Sequence, residues 1–142
     1  MAAMQFETTI NAPREKVWKA LWEDAAYREW TSVFTEGSYA ESDWQEGSRI
    51  LFLDGKGRGM YSRIDKIKPN EYMLFRHIGE IKNGEEQPAD PGWEDAFEDY
   101  TLQNDHGNTR LTVNLGGTGE MEAYFKDVFP KALDKIKNIA ER

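Results

Sequence analysis

Residues 121–140, MEAYFKDVFPKALDKIKNIA, form the stretch that decides the fold. Its apolar residues recur every three or four positions, which is the spacing of one face of an amphipathic helix. The pattern predicts a C-terminal helix of about five turns. Pro130 should interrupt and kink it, because proline lacks the amide hydrogen of a regular turn. The apolar face consists of Met121, Phe125, Val128, Ala132, Leu133, Ile136 and Ala140.

Before this helix, the apolar residues have the two-residue period of strands. Turn signals such as Gly55-Lys56-Gly57 and Lys68-Pro69-Asn70 separate the predicted strands. Residues 81–92 are polar and rich in turn-forming residues, which predicts a long loop. Residues 93–100 fit a helix or a strand equally well, and both interpretations stay open. The predicted strands lie near residues 4–10, 34–41, 48–54, 58–67, 72–80, 96–104 and 109–115.

Two short helices are expected within INAPREKVWKALWEDAAYREW, residues 10–30. Asn11-Ala12-Pro13 is a helix-start signal, and the apolar spacing over residues 17–22 is helical. A second short helix is predicted through Asp24–Trp30. The same stretch holds three of the five tryptophans of the chain, Trp18, Trp22 and Trp30.

This order of elements predicts an α+β fold in a single domain spanning residues 1–142. A sheet with one apolar face must bury that face, and only the C-terminal helix is long enough to cover it. We therefore expect a curved antiparallel sheet around this helix, with the two short helices at one edge.

Composition and charge exclude several classes of function. The chain has no cysteine, which excludes disulfides and thiol catalysis and removes the sulfur ligands that structural zinc prefers. Its net charge is −8, and residues 80–105 hold nine acidic residues against one lysine. Such a field repels phosphate, so nucleic acid and anionic membranes are poor partners. No apolar run approaches the ~20 residues that span a bilayer, and a cytoplasmic location is the expectation.

The segments INAPREKVWKAL, IDKIKPNEYMLF, DHGNTRLTV and FPKALDKIK, in this order, resemble the SRPBCC (START-like, birch-pollen-allergen-like) superfamily. The similarity is strongest to the branch named for the C-terminal domain of the heat-shock-protein-90 ATPase activator. It covers roughly residues 5–141. Ser62 stands where the family usually has glycine, and Phe129 stands where it often has tryptophan.

The resemblance implies a helix-grip fold, in which a seven-stranded antiparallel sheet wraps around the C-terminal helix and encloses an apolar cavity. Members of the superfamily bind lipids, sterols, hormones or polyketides, and a minority are enzymes. An apolar small-molecule ligand is therefore expected here. The branch name adds a second expectation, a chaperone protein as partner and a role in the stress response.

Ser62, His77 and Glu98 are the polar candidates for the cavity. A turn centred on Pro69-Asn70 places Ser62 directly opposite His77, and opposite residues share one face of a sheet. Glu98 joins them if residues 96–104 form a strand. A serine, a histidine and a carboxylate on one wall would suit a hydrolase or cyclase with His77 as acid or base. No nucleophile-elbow motif surrounds Ser62, which favours a role in orienting a ligand instead.

Metal and phosphate sites are not predicted, and no cofactor is expected. His77 and His106 are far apart in the sequence, and Glu94–Asp99 lacks the spacing of a calcium loop. The glycines at 55–59 and 116–119 lack the spacing of a phosphate loop and are typical of turns.

Aromatic residues supply most of the predicted cavity wall. Trp18 and Trp22 lie four positions apart on one helix face and are expected in the core, whereas Trp30 is expected to contact a ligand. The predicted wall comprises Trp30, Phe34, Phe52, Met60, Ile64, Met73, Phe75, Tyr100, Phe125 and Phe129, with Ser62, His77 and Glu98 as polar contacts.

Three functions therefore stay open, beside the alternative of a stable domain whose cavity has closed. The first is binding of an apolar small molecule in the cavity. The second is stimulation of a chaperone ATPase through the acidic segment Glu80–Asp99. The third is an enzyme that uses His77 in proton transfer.

Overall fold

A computed structural model describes residues 4–142. Short 3-10 turns lie at Pro91–Trp93 and Gly119–Met121. Within the described residues, no helix is long and apolar enough to cross a membrane. The helices are α1 (Arg14–Trp22), α2 (Asp24–Thr31) and α3 (Glu122–Ala140). The strands are β1 (Met4–Ile10), β2 (Tyr39–Glu41), β3 (Arg49–Leu53), β4 (Gly59–Lys68), β5 (Tyr72–Lys82), β6 (Glu85–Glu86), β7 (Phe97–Asp105) and β8 (Asn108–Gly116).

The strands form one antiparallel sheet in the order β1-β8-β7-β5-β4-β3-β2, and the two-residue β6 pairs with β5 outside this path. The expected α+β helix-grip fold is confirmed: seven main strands are followed by a long C-terminal helix, and two short helices follow the first strand.

Helix α3 covers the apolar face of the sheet, and its buried face follows the predicted helical spacing. Phe129 stacks on Phe6 of β1 with ring centroids 5.1 Å apart. The helix is continuous from Glu122 to Ala140, so the predicted interruption at Pro130 is wrong. The buried residues of α3 are Val128, Phe129, Ala132, Leu133, Ile136 and Ala140.

Hydrogen bonds fix the C-terminal end of α3 to the start of the chain. The amide of Asn11 donates to Glu141 Oε2 at 2.8 Å, and Lys16 Nζ donates to the carbonyl of Arg142 at 2.7 Å. The Arg142 guanidinium pairs with Glu29 of α2. Asn11 therefore does not cap α1, which begins after Pro13 without a side-chain cap.

The β4–β5 hairpin determines which residues of these two strands lie opposite each other in the candidate functional site. Lys68 pairs with Tyr72, so the turn holds three residues, and the extra residue Asp65 forms a bulge further along β4. Beyond the bulge, Ser62 lies opposite His77, as the sequence predicts.

Three predicted segments differ in detail from the structure. The strand expected near 34–41 is reduced to Tyr39–Glu41, because backbone turns after α2 occupy the residues before it. The loop expected at 81–92 contains the end of β5 and the short β6. The segment 93–100, left open as helix or strand, becomes a strand from Phe97 onward.

Candidate functional site

A cavity of about 990 Å³ lies between the sheet, helix α2 and the N-terminal half of α3. Ligand sites in proteins commonly have volumes of about 300–1,000 Å³ and mostly apolar walls. This cavity is therefore large enough for a small molecule. Its aromatic wall comprises Tyr27, Trp30, Phe34, Tyr39, Phe52, Trp93, Phe97, Tyr124, Phe125 and Phe129.

The predicted wall residues fall into two groups. Eight of them line the cavity: Trp30, Phe34, Phe52, Met60, His77, Glu98, Phe125 and Phe129. The other five are fully buried outside the lining: Ser62, Ile64, Met73, Phe75 and Tyr100.

Trp22 explains why the second group is separated from the cavity. Its ring packs edge-on against Phe75 and Tyr100, with centroid distances of 5.3 and 4.9 Å. The indole thus fills the space above this end of the sheet. Strand alternation predicts which face a residue occupies, but it does not predict how far the cavity extends along that face.

A chain of polar side chains crosses the adjacent strands β4, β5 and β7. Ser62 Oγ lies 2.7 Å from His77 Nδ1, and His77 Nε2 lies 3.4 Å from Glu98 Oε1. The hydroxyl of Tyr100 donates to the other oxygen of Glu98. When His77 is neutral with its proton on Nε2 facing the carboxylate, Nδ1 accepts the Ser62 hydroxyl proton. The sequence prediction that these three side chains meet is therefore correct in geometry.

The accessible part of this polar chain is its His77–Glu98 end. The two side chains retain 11% and 18% of their exposure and line the cavity. Ser62 has no exposed surface, so a ligand in the cavity does not reach its hydroxyl. The arrangement therefore lets Ser62 orient the imidazole, while His77 and Glu98 can exchange hydrogen bonds or protons with a ligand.

Two buried tyrosines keep their protons beside Glu98. Burial raises the pKa of the Tyr100 phenol well above its usual value, and the charge of Glu98 and the hydrogen bond to it raise it further. Burial also raises the pKa of Tyr27, with the Glu98 charge as a second cause. Both phenols are therefore neutral hydrogen-bond donors across the physiological pH range.

Tyr27 lines the cavity although it is absent from the predicted wall. Its spacing to Trp30 and Thr31 is three and four positions, so all three lie on one face of α2. That helical spacing is the sequence signal that would have identified it.

The mouth of the cavity combines apolar and charged residues. Met121 and Tyr124, which the predicted wall also lacks, keep 47% and 38% of their exposure. Asp54 accepts the amides of Lys56 and Arg58 at 2.7 and 3.1 Å, and these bonds lower its pKa despite an opposing effect of desolvation. The β3–β4 turn at the mouth is therefore held by its own carboxylate.

Trp22 and Trp30 belong to the buried core, whereas Trp18, which was also expected there, packs against it half-buried. Trp22 is buried and Trp18 half-buried, and neither lines the main cavity. They form a separate groove of about 200 Å³ with Trp44. Trp30 is 2% exposed, lines the main cavity, and donates its indole N–H to the Leu21 carbonyl at 2.9 Å. Across residues 4–142, no group of three or more His, Asp or Glu side chains is placed to hold a metal.

Solved structures of other proteins share this fold. The solution structure of the Aha1 dimer from Colwellia psychrerythraea has a TM-score of 0.77 and 20% identity, covering 99% of this chain and 97% of that chain. ChR145 from Cytophaga hutchinsonii has a TM-score of 0.73 and 23% identity, covering 99% and 94%. DynU16, from the dynemicin biosynthetic locus, has a TM-score of 0.71 and 17% identity over 96% of this chain. This chain spans 46% of the length of DynU16.

These similarities establish the fold alone, and no curated protein sequence matches the chain. The family is established by a match over nearly the whole sequence, which confirms the resemblance drawn from the sequence motifs. Residues 11–141 match the model of the "Activator of Hsp90 ATPase homolog 1-like protein" family, and the chain belongs to this family.

Proposed function

We propose that the protein binds an apolar small molecule in the cavity between the sheet and α3. The observation that carries this proposal is the aromatic cavity of about 990 Å³ with His77 and Glu98 on its wall. Protein interiors are close-packed, so an opening of this size beside a dense core leaves many aromatic atoms without contact partners. A ligand of matching shape restores those contacts.

The distribution of polar groups defines the ligand further. The buried ionisable groups of the wall include His77, Glu98 and the phenol of Tyr27. The charged residues Asp54, Arg58, Glu80 and Lys82 also line the cavity, and Glu80 and Lys82 are exposed to solvent. A few polar groups on an apolar wall fix the orientation of a ligand rather than supply most of its affinity. The ligand should therefore be largely apolar, with a polar group near Glu98.

A two-dimensional NMR titration of isotope-labelled protein tests this proposal. A pool of lipids, sterols and aromatic compounds should shift the resonances of Trp30, His77 and Phe125. Phe125→Ala removes a wall residue and should weaken binding about tenfold, the effect of losing ~1.4 kcal/mol of contact. Ile139→Ala is the matched control, because Ile139 is a half-buried residue of the same helix outside the cavity. Shifts that avoid the cavity, or equal effects of both variants, would refute the proposal.

A second candidate function is stimulation of a chaperone ATPase, which the name of the family supports. The exposed part of the acidic segment, including Glu85, Glu94 and Asp95, would form the contact surface. Adding the protein to an Hsp90 preparation should then raise its ATPase rate, and replacing Glu94 and Asp95 by their amides should reduce the increase. An unchanged ATPase rate would remove this candidate. Enzymatic use of His77 stays a prediction, which a His77→Ala variant with unchanged turnover would contradict.

A further inference from the structure

The hydroxyl of Tyr27 is the unusual polar group of the cavity wall. Tyr27 is 8% exposed and lines the cavity, yet its hydroxyl has no hydrogen-bond partner within residues 4–142. The other two buried tyrosines are paired: Tyr61 donates to the carbonyl of Gln87, and Tyr100 donates to Glu98. Among the described residues, the fully buried side-chain polar atom without a partner is Trp22 Nε1, and the Tyr27 hydroxyl is not sealed off in this way. It opens on the cavity and is free to donate to a ligand there.

Glu98 presents an acceptor on the same wall. One of its oxygens faces His77 Nε2 at the long distance of 3.4 Å, and the other accepts the Tyr100 hydroxyl. A carboxylate has about four lone-pair sites, so Glu98 keeps acceptor capacity towards the cavity. Its charge also contributes to the raised pKa of Tyr27, which is consistent with the two groups lying near each other.

From this pairing of one free donor with one acceptor we infer that the ligand carries a hydroxyl group, which donates to Glu98 and accepts from Tyr27. This inference rests on the proposed function and specifies the class of ligand. A carboxylate would be repelled by Glu98, and an ammonium could not accept from Tyr27. A ketone or ether would supply no donor for the acceptor sites that Glu98 keeps towards the cavity. A hydroxyl satisfies both groups through a single atom.

The test uses 2-naphthol and 2-methylnaphthalene, which have nearly the same shape but differ in the hydroxyl. NMR titration of the wild-type protein should show 2-naphthol binding about tenfold or more tightly, since hydrogen bonds to charged groups are the stronger ones. Tyr27→Phe should remove most of this preference. Tyr72→Phe is the matched control, because the Tyr72 hydroxyl lies outside the cavity and donates to Asp99 Oδ2 at 2.9 Å. That variant should keep the preference.

The Tyr27→Phe variant should fold normally, because the hydroxyl that it loses has no partner in the protein. Its thermal midpoint, followed by circular dichroism, checks this expectation. Glu98→Gln provides a second variant, which removes the charge but keeps the shape and should also reduce the preference.

The outcomes separate this inference from the proposed function. Equal affinity for the two probes, or a preference that survives in both Tyr27→Phe and Glu98→Gln, overturns the hydroxyl assignment and leaves the binding function standing. Failure of both probes and of the ligand pool to bind overturns the binding function and this inference with it.

Discussion

The inner face of the sheet has two halves that are built alike but packed differently. The packed half consists of Ile64, Met73, Phe75 and Tyr100, all without exposed surface. The open half consists of Phe52, Met60, His77 and Glu98, all of which line the cavity. Both halves follow the alternation of their strands, which are β4, β5 and β7 for the packed half and β3, β4, β5 and β7 for the open half.

The difference between the halves comes from the elements opposite them. Trp22 of α1 fills the space over the packed half, where it contacts Phe75 and Tyr100. Over the open half, α2 and the first turns of α3 leave a space of about 990 Å³. The cavity therefore depends on which helical side chain faces the sheet, and the polarity pattern of the strands does not determine it.

The largest expected effect compares a phenylalanine from each half. Phe75→Ala should lower the free energy of unfolding by about 3–5 kcal/mol, because it leaves a void in a filled region. Phe52→Ala should cost less, about 1–2 kcal/mol, because one side of Phe52 already borders open space. Urea unfolding of both variants measures the difference. Equal losses would show that the open half is as tightly packed as the other.

Adding volume should follow the same order, with a filled region again less tolerant than the cavity. Ala132 is fully buried in α3, and Ala132→Leu should cost about 1–3 kcal/mol through overpacking. Met60→Phe extends into the cavity and should cost under about 1 kcal/mol while weakening ligand binding. Urea unfolding and the NMR titration together test the pair. A strongly destabilised Met60→Phe variant would mean that the cavity is not available space.

Ser62 lies where the two halves meet, and its removal should have a moderate effect. Ser62→Ala deprives His77 Nδ1 of its partner at 2.7 Å and should cost about 1 kcal/mol. The matched control is Ser32→Ala, since the exposed Ser32 hydroxyl donates to the Glu29 carbonyl and should matter by under ~0.5 kcal/mol. Unchanged His77 NMR resonances in the Ser62→Ala variant would refute the orienting role of Ser62.

The smallest effect compares two tyrosines that each donate to a carboxylate, one buried in the packed half and one on the outer face. Burial and the hydrogen bond to Asp99 raise the pKa of Tyr72 from 10.0 to about 12. Burial and the charge of Glu98 raise the pKa of Tyr100 well above its usual value. A raised phenol pKa contributes stability that is complete below about pH 10 and is lost as the pH rises through the folded value.

An alkaline titration followed by phenolate absorbance should therefore show one tyrosine step near pH 12 that Tyr72→Phe removes. Tyr100 should ionise only when the protein unfolds. If Tyr100 titrates at a lower pH than Tyr72, the polar cluster beside the cavity is more accessible to water than the outer face.

The fold could be predicted largely from the local pattern of apolar residues. One correct prediction, the pairing of Ser62 with His77, was reached because two deviations from the expected register cancel. The expected register assumed a turn centred on Pro69-Asn70, whereas the turn holds three residues. The bulge at Asp65 shifts the pairing by one residue in the opposite direction, and Ser62 and His77 meet as expected. A bulge depends on tertiary packing and leaves no clear mark in a single sequence.

The extent of the cavity could not be predicted, because it depends on contacts between distant elements. Trp44 packs against Trp22 with centroids 5.9 Å apart, and it adopts a positive φ of 59° that its residue type disfavours. Neither this contact nor the coverage of Phe75 and Tyr100 by Trp22 follows from spacing along the chain. Residues of the packed half were therefore expected in the wall, while Tyr27 was not.

Helix α3 is held more firmly at its C-terminal end than at its N-terminal end. Bonds from Asn11 and Lys16 hold the C-terminal residues Glu141 and Arg142, whereas the first turns near Met121 are exposed. Rotation about the fixed end produces the largest displacement at the mouth of the cavity. Amide hydrogen exchange along the helix should therefore slow from its first turn to its last. If the proposed ligand enters at this end, the helix has to swing outward and break the Tyr124–Phe34 hydrogen bond.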